Sequence, residues 1–176
     1  MPRRKSFACG HVGLGQFCHR CKQEQDREKS RGVATVREAV DKTRSELRGR
    51  IVFGDDVALG VERLASHAGP PAKVERWLGV LAEMTDARRN GGLGTSEIKW
   101  LQARGVVVSG ESETTLNSPR ERQLRTWSDG FGGRRMFSTH LKPTDGTSPD
   151  TCVRIYFDFD DRNKVTIVGW VGRHPA

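Results

Sequence analysis

The chain of 176 residues is short of cysteine, of aromatic rings and of long apolar runs, and each shortage excludes something. Four cysteines are present; Cys9, Cys18 and Cys21 crowd one short segment, and Cys152 stands alone. That distribution argues against a disulfide framework and for metal binding in a reducing compartment. The longest apolar runs, such as Val106-Val107-Val108, fall far below the roughly 20 residues that cross a bilayer. Arg3, Arg4 and Lys5 lack the apolar stretch that would follow in an export signal, so the chain reads as cytoplasmic, with no membrane partner. Aromatic residues make up only 7% and apolar residues 35%, which limits the core to a modest size.

Acidic charge is scarce at one end. Residues 1–50 hold 13 Lys and Arg against 6 Asp and Glu, whereas the remainder is nearly balanced at 17 against 16. The net charge of +8 is therefore an N-terminal property. Such a cationic segment suits a polyanion, most simply nucleic acid. Its bland alternative is a solubilising surface. Val33, Val36, Val40 and Leu47 recur at helical spacing, with Arg37, Arg44 and Arg48 between them as candidate nucleic-acid contacts.

What is present at the start is metal-ligand chemistry. Cys9-Gly10-His11 and Cys18-His19-Arg20-Cys21 bring three thiols and an imidazole together at spacings that close a tetrahedral zinc site. Cys9, His11, Cys18 and Cys21 are the expected ligands, with His19 as the alternative to His11. Four protein ligands leave no open position for water, so the zinc is structural. Organisation follows: a zinc knuckle over 1–25, a basic connecting helix over 26–50, and an α+β domain over 51–176.

Within that domain the pattern predicts a short strand at Ile51-Val52-Phe53 and a helix from Val57 to His67. A longer helix is expected from about Ala72 to Arg89, carrying Val74, Trp77, Leu78, Leu81 and Met84 on one stripe. A short helix over Thr95–Arg104 and a strand at Val106–Val108 follow, and the polar stretch Ser109–Pro119 reads as a loop. Gly130-Phe131-Gly132-Gly133 reads as a turn, as does Asp160–Asn163, where Asp and Asn favour reversal over metal binding.

Arg134–Lys142, Thr151–Asp158 and Lys164–Val171 alternate at period two and predict an antiparallel meander within a three- to four-stranded sheet. Parity assigns Phe137, Thr139, Leu141, Val153, Ile155, Phe157, Phe159, Val165, Ile167 and Val171 to a buried face. Arg134, His140, Lys142, Arg154, Tyr156, Trp170 and His174 fall opposite. Cations for phosphate, rings for stacking and imidazoles for proton transfer then share an exposed surface suited to single-stranded RNA. An ordinary solvated sheet face is the alternative.

Val153-Arg154-Ile155-Tyr156-Phe157, the strand Val165–Val171 and Gly172-Arg173-His174 resemble the carboxy-terminal half of the RelE/ParE toxin superfamily, over roughly Arg134–Pro175. The head, Phe7–Cys21, is similar to zinc-binding heads of uncharacterised bacterial proteins. The resemblance implies a β-α-α-β-β-β core, an antitoxin partner and metal-independent cleavage of RNA on the ribosome. It further implies that Arg154 and Arg173 hold phosphates, that His174 or Tyr156 moves a proton, and that Lys142 stabilises developing charge, with His140 also on that face. A non-catalytic nucleic-acid-binding adaptor and a protein-docking module are the competing readings.

Overall fold

The computed structural model describes residues 32–144, 148 and 151–175. The chain divides into two compact units, residues 1–32 and 33–176. Cys9, His11, Cys18, His19 and Cys21 lie outside the described residues.

The second unit is an α+β body. It begins with α1 (Val36–Glu46), where Thr35 Oγ1 accepts from the Glu38 amide while Glu38 returns a carboxylate to the Ala34 amide. This reciprocal capping satisfies two orphan donors. Strand β1 (Ile51–Phe53) and helix α2 (Asp56–Glu62) follow, then the long α3 (Pro71–Arg89), which opens on a proline whose fixed φ suits a first turn. Short α4 (Glu97–Gln102) leads to strand β2 (Val108–Gly110). The helix set apart as a connector packs its Val36, Ala39 and Val40 into the same core as α3.

The stretch Ser109–Pro119, expected to be a loop, instead carries the end of β2 and the capped helix α5 (Glu113–Asn117), and a second capped helix, α6 (Pro119–Leu124), follows it. Ser112 and Ser118 each accept from an amide three residues on. The stretch Arg134–Lys142 likewise departs from expectation, because it breaks into two strands serving different sheets. Its first part, β4 (Arg134–Met136), pairs with β3 (Thr126–Ser128) in a two-stranded ribbon; its second, β5 (Thr139–Leu141), joins the main sheet.

The main sheet has five strands in the order β1-β7-β6-β5-β2, with β6 spanning Arg154–Asp160 and β7 Val165–Gly172. Four strands run antiparallel, and β1 is added parallel to β7 at one edge. Asp160 Oδ1 closes the β6–β7 turn by accepting from the Arg162 and Asn163 amides.

Parity holds along β6 and fails along β7. Tyr156 pairs with Trp170 but Phe157 pairs with Val168, so Gly169 is an extra residue in a β-bulge. Gly169 has room for no side chain: a Cβ there would overlap the Phe137 ring. The bulge reverses which face each side chain takes. Val165 and Ile167, expected with the helices, pack on the far face with Trp127, Tyr156 and Trp170, as does Phe137, also expected with the helices but set between β4 and β5 where the chain changes sheet. Val171 keeps its expected place in the helix-side core, and Val168, of the opposite parity, joins it there. Among the few polar groups in that helix-side core, Thr85 Oγ1 reaches Thr166 Oγ1 at 2.7 Å and the Arg50 carbonyl at 3.0 Å, tying α3 to β7.

Candidate nucleic-acid interface: a cationic cavity on a buried charge network

The far face of the sheet is covered, contrary to the expectation of an open surface. The β3–β4 ribbon lies over it and is held from both strands. From β3, Ser128 donates from its amide to Asp56 at 2.7 Å and from its hydroxyl to Asp55 at 3.0 Å. From β4, Arg135 bonds Asp158 at 2.9 Å and Asp160 at 3.3 Å. Trp127, paired with Arg135 across the ribbon, stacks on Trp170 with centroids 5.2 Å apart and planes 12° from parallel, and it meets Tyr156 at 5.0 Å. Covering this face follows from composition, since Tyr156, Val165, Ile167 and Trp170 are too apolar to leave wet.

The residues after β2 complete the cover and bring charge beneath it. Tyr156 donates to Glu111 Oε1 at 2.8 Å, while Arg125 Nε stands 3.0 Å from the same oxygen as an ion pair. Arg125 also donates to the Glu121 carboxylate at 2.8 Å. His140 Nδ1 lies 3.4 Å from Glu111 Oε1 and finds no hydrogen-bond partner among the described residues. Burial opposes ionisation of Glu111, yet hydrogen bonds from Tyr156 and Arg125 hold its carboxyl below the usual range. Burial pushes His140 down to about 4 despite the neighbouring carboxylate, so its imidazole is neutral at pH 7. Burial and the Glu111 bond raise the Tyr156 phenol well above its ordinary value.

Beside the network a cavity of about 620 Å³ opens between α2, α6, the ribbon and the end of β7. Three guanidinium groups from distant parts of the chain line it: Arg63 after α2, Arg134 on β4 and Arg173 after β7. Asp56 is its single carboxylate among the lining residues, and it is engaged by the Ser128 amide and by Arg134 at 3.6 Å. Trp127 and Trp170 form the floor, and the Trp170 indole donates to the Arg173 carbonyl at 2.9 Å, fixing that corner. His174 stands at the junction of cavity and network, 6.0 Å from His140 and 6.5 Å from Tyr156 by ring centroids. Burial lowers its pKa.

The expected site residues thus separate into groups. Arg134, Trp170, Arg173 and His174 meet at the cavity. Tyr156 and His140 are buried beneath it and present no surface to a ligand. Arg154 is half-buried and donates to the Thr144 and Val153 carbonyls, and Lys142 follows β5; neither lines the cavity. Arg37, Arg44 and Arg48 are exposed on and just after α1, with Arg44 over the Phe53 ring. Glu111, Arg125 and Arg63 escaped the sequence reading. Arg63 had a signal, since it follows Leu59 by one helical turn; Glu111 and Arg125 sit in a stretch whose serine caps were passed over.

Residues 3–25 match the model of a zinc-binding domain of unknown function (DUF7682). The head is a zinc-binding segment. Its donor set suits the ion: thiolates and imidazole are the ligands that hold structural Zn²⁺, and Cys9, Cys18, Cys21 with His11 or His19 supply four. No curated protein and no solved structure matches the chain. No helix among the described residues is long and apolar enough to cross a membrane.

Proposed function

We propose that this zinc-containing protein binds RNA through the cavity at the end of β7. The convergence of Arg63, Arg134 and Arg173 around a floor of Trp127 and Trp170 carries the reading. Guanidinium groups pair with phosphate oxygens, and a cavity that also offers ring edges and apolar wall suits a nucleotide polymer better than a simple anion. The body's overall charge is nearly balanced, so this concentration of cations is local rather than a consequence of composition.

The resemblance to RelE-type toxins is supported by element order. Strand β1, helices α2 and α3, and strands β5, β6 and β7 follow the expected β-α-α-β-β-β sequence, with residues 90–138 inserted before the meander. On that reading a ribosome and an antitoxin would be partners. Cleavage would proceed by attack of the ribose 2′-oxygen on its own phosphorus, with loss of the 5′-oxygen, a proton leaving the first and one reaching the second. That requires a base and an acid. His174 is the imidazole at the cavity, while Tyr156 and His140 are sealed below it. The geometry therefore supports RNA binding better than RNA cleavage, and Tyr156, His140, Glu111 and Arg125 act as positioning groups.

A second reading rests on Arg37, Arg44 and Arg48, which are exposed on one side of the body and could act with the zinc head as an adaptor. Binding of single-stranded RNA by zinc-loaded protein across a salt series separates the two. Loss of affinity on Arg134→Ala and Arg173→Ala, with a shallower salt dependence, supports the cavity. The same loss confined to Arg37→Ala and Arg44→Ala supports the adaptor.

A further inference from the structure

The cavity walls differ in character around their circumference. Leu59 is 42% exposed and lines the cavity with Leu124 and Pro175. Arg63 follows Leu59 by four residues, so α2 presents an apolar group and a cation to the cavity one turn apart. Gln123 and Thr126 add groups able to donate and accept hydrogen bonds. The lining thus combines apolar side chains, hydrogen-bonding groups and cations within one cavity. A simple phosphate would use only the cations, and a purely apolar ligand would use none of them. A volume of about 620 Å³ holds a small molecule with a planar body and an anionic group, within the usual range of roughly 300–1,000 Å³ for such sites.

Resting on the RNA-binding reading, we infer that the cavity accommodates one unpaired nucleotide unit, its base against Leu59, Leu124 and Pro175 and its phosphate on Arg63, Arg134 and Arg173. A base inside a duplex cannot enter without leaving its stack and its partner. The site therefore selects a strand end, a loop or a splayed base. Gln123, carrying both a donor and an acceptor on one amide, is placed to read a base edge.

The chemistry is shared by a free nucleoside monophosphate and by a nucleotide within a strand, and titration tells them apart. Tryptophan fluorescence of the zinc-loaded full chain is followed as nucleoside monophosphates, nucleosides, ribose 5-phosphate, inorganic phosphate, single-stranded RNA and blunt duplex RNA are added. Monophosphates should bind at least tenfold more tightly than nucleosides, ribose 5-phosphate or phosphate, and single strands at least tenfold more tightly than duplex. Leu59→Asp, at an exposed position that tolerates polarity, should weaken monophosphate binding tenfold or more, as should Arg63→Ala; circular dichroism confirms folding. Phosphate binding equal to monophosphate binding overturns the inference, as does indifference to Leu59→Asp. If monophosphates bind and RNA does not, the nucleotide pocket stands and the RNA reading falls. If RNA binds with no response to monophosphates or to the cavity variants, the pocket falls and RNA binding elsewhere stands.

Discussion

Tyr156 donates its phenolic proton to Glu111 across 2.8 Å; the tyrosine is fully buried and the carboxylate nearly so. The bond joins the centre of β6 to the segment after β2, holding an ionised carboxylate where burial alone would neutralise it. Glu111 is also the partner of Arg125 and the neighbour of His140, so one carboxylate organises the layer between sheet and cavity.

Removing that bond should cost measurable stability. Tyr156→Phe leaves the ring and deletes a hydrogen bond to a charged acceptor, a loss of about 1.5–3 kcal/mol. Glu111→Ala removes the same bond and also one of the two carboxylate partners of Arg125, leaving Glu121 as the other, and should cost more than Tyr156→Phe. Urea unfolding should place both variants below wild type, with Glu111→Ala the lower. Equal midpoints for Tyr156→Phe and wild type contradict the arrangement.

Acid should begin to destabilise the body before most carboxylates titrate. His140 has a folded pKa of about 4 against an ordinary 6.5, so the unfolded chain takes up a proton that the folded chain refuses. Its contribution is complete above pH 6.5 and is lost as pH falls toward 4, a change on the order of 3 kcal/mol at about 1.36 kcal/mol per unit. Glu111, with its pKa held low, adds loss of the same sign further into acid. Unfolding free energies measured at intervals from pH 7.5 to 4 should fall in wild type and flatten in His140→Gln. Parallel slopes would sink this assignment.

The bulge in β7 makes Gly169 intolerant. Gly169→Ala drives a methyl group into the Phe137 ring, and overpacking of this kind costs about 1–3 kcal/mol. Gly79→Ala, on α3 with no neighbour in range of the new Cβ, serves as the matched comparison and should be neutral or slightly stabilising. Thermal midpoints of the pair should differ in that order.

Zinc should belong to the head alone. All four tryptophans, Trp77, Trp100, Trp127 and Trp170, lie in the unit spanning residues 33–176, so their fluorescence reports on it. About one zinc per chain should be found by elemental mass spectrometry, falling to below about half in Cys18→Ser. Chelation should release the metal without altering the tryptophan spectrum. Unfolding of that unit on chelation runs against the assignment.

The sequence made some of this legible for physical reasons. The α3 stripe from Val74 to Met84, the turn at Asp160 and the β6 parity are local patterns, and local patterns survive folding. The inversion at Gly169 does not announce itself, because alternation continues unbroken through a bulge and only Phe137, thirty-two residues away, shows why a glycine is needed. Alternation likewise concealed the division of Arg134–Lys142 between two sheets. Ser112 and Ser118-Pro119, the latter with Glu121 three residues after the serine, were readable caps for α5 and α6, and reading them would have shown that the sheet face acquires a cover. Arg134, Trp170, Arg173 and His174 were expected on an open sheet and meet instead at the rim of a cavity, which local periodicity has no means of encoding.

The most direct measurement is ultraviolet crosslinking of zinc-loaded protein to single-stranded RNA, followed by peptide mapping of the attached nucleotides. Attachment should concentrate on peptides carrying Trp127, Trp170 and Arg173–His174, and should fall sharply in Leu59→Asp. Attachment confined to the head and to α1, with those peptides unmodified, would contradict the account.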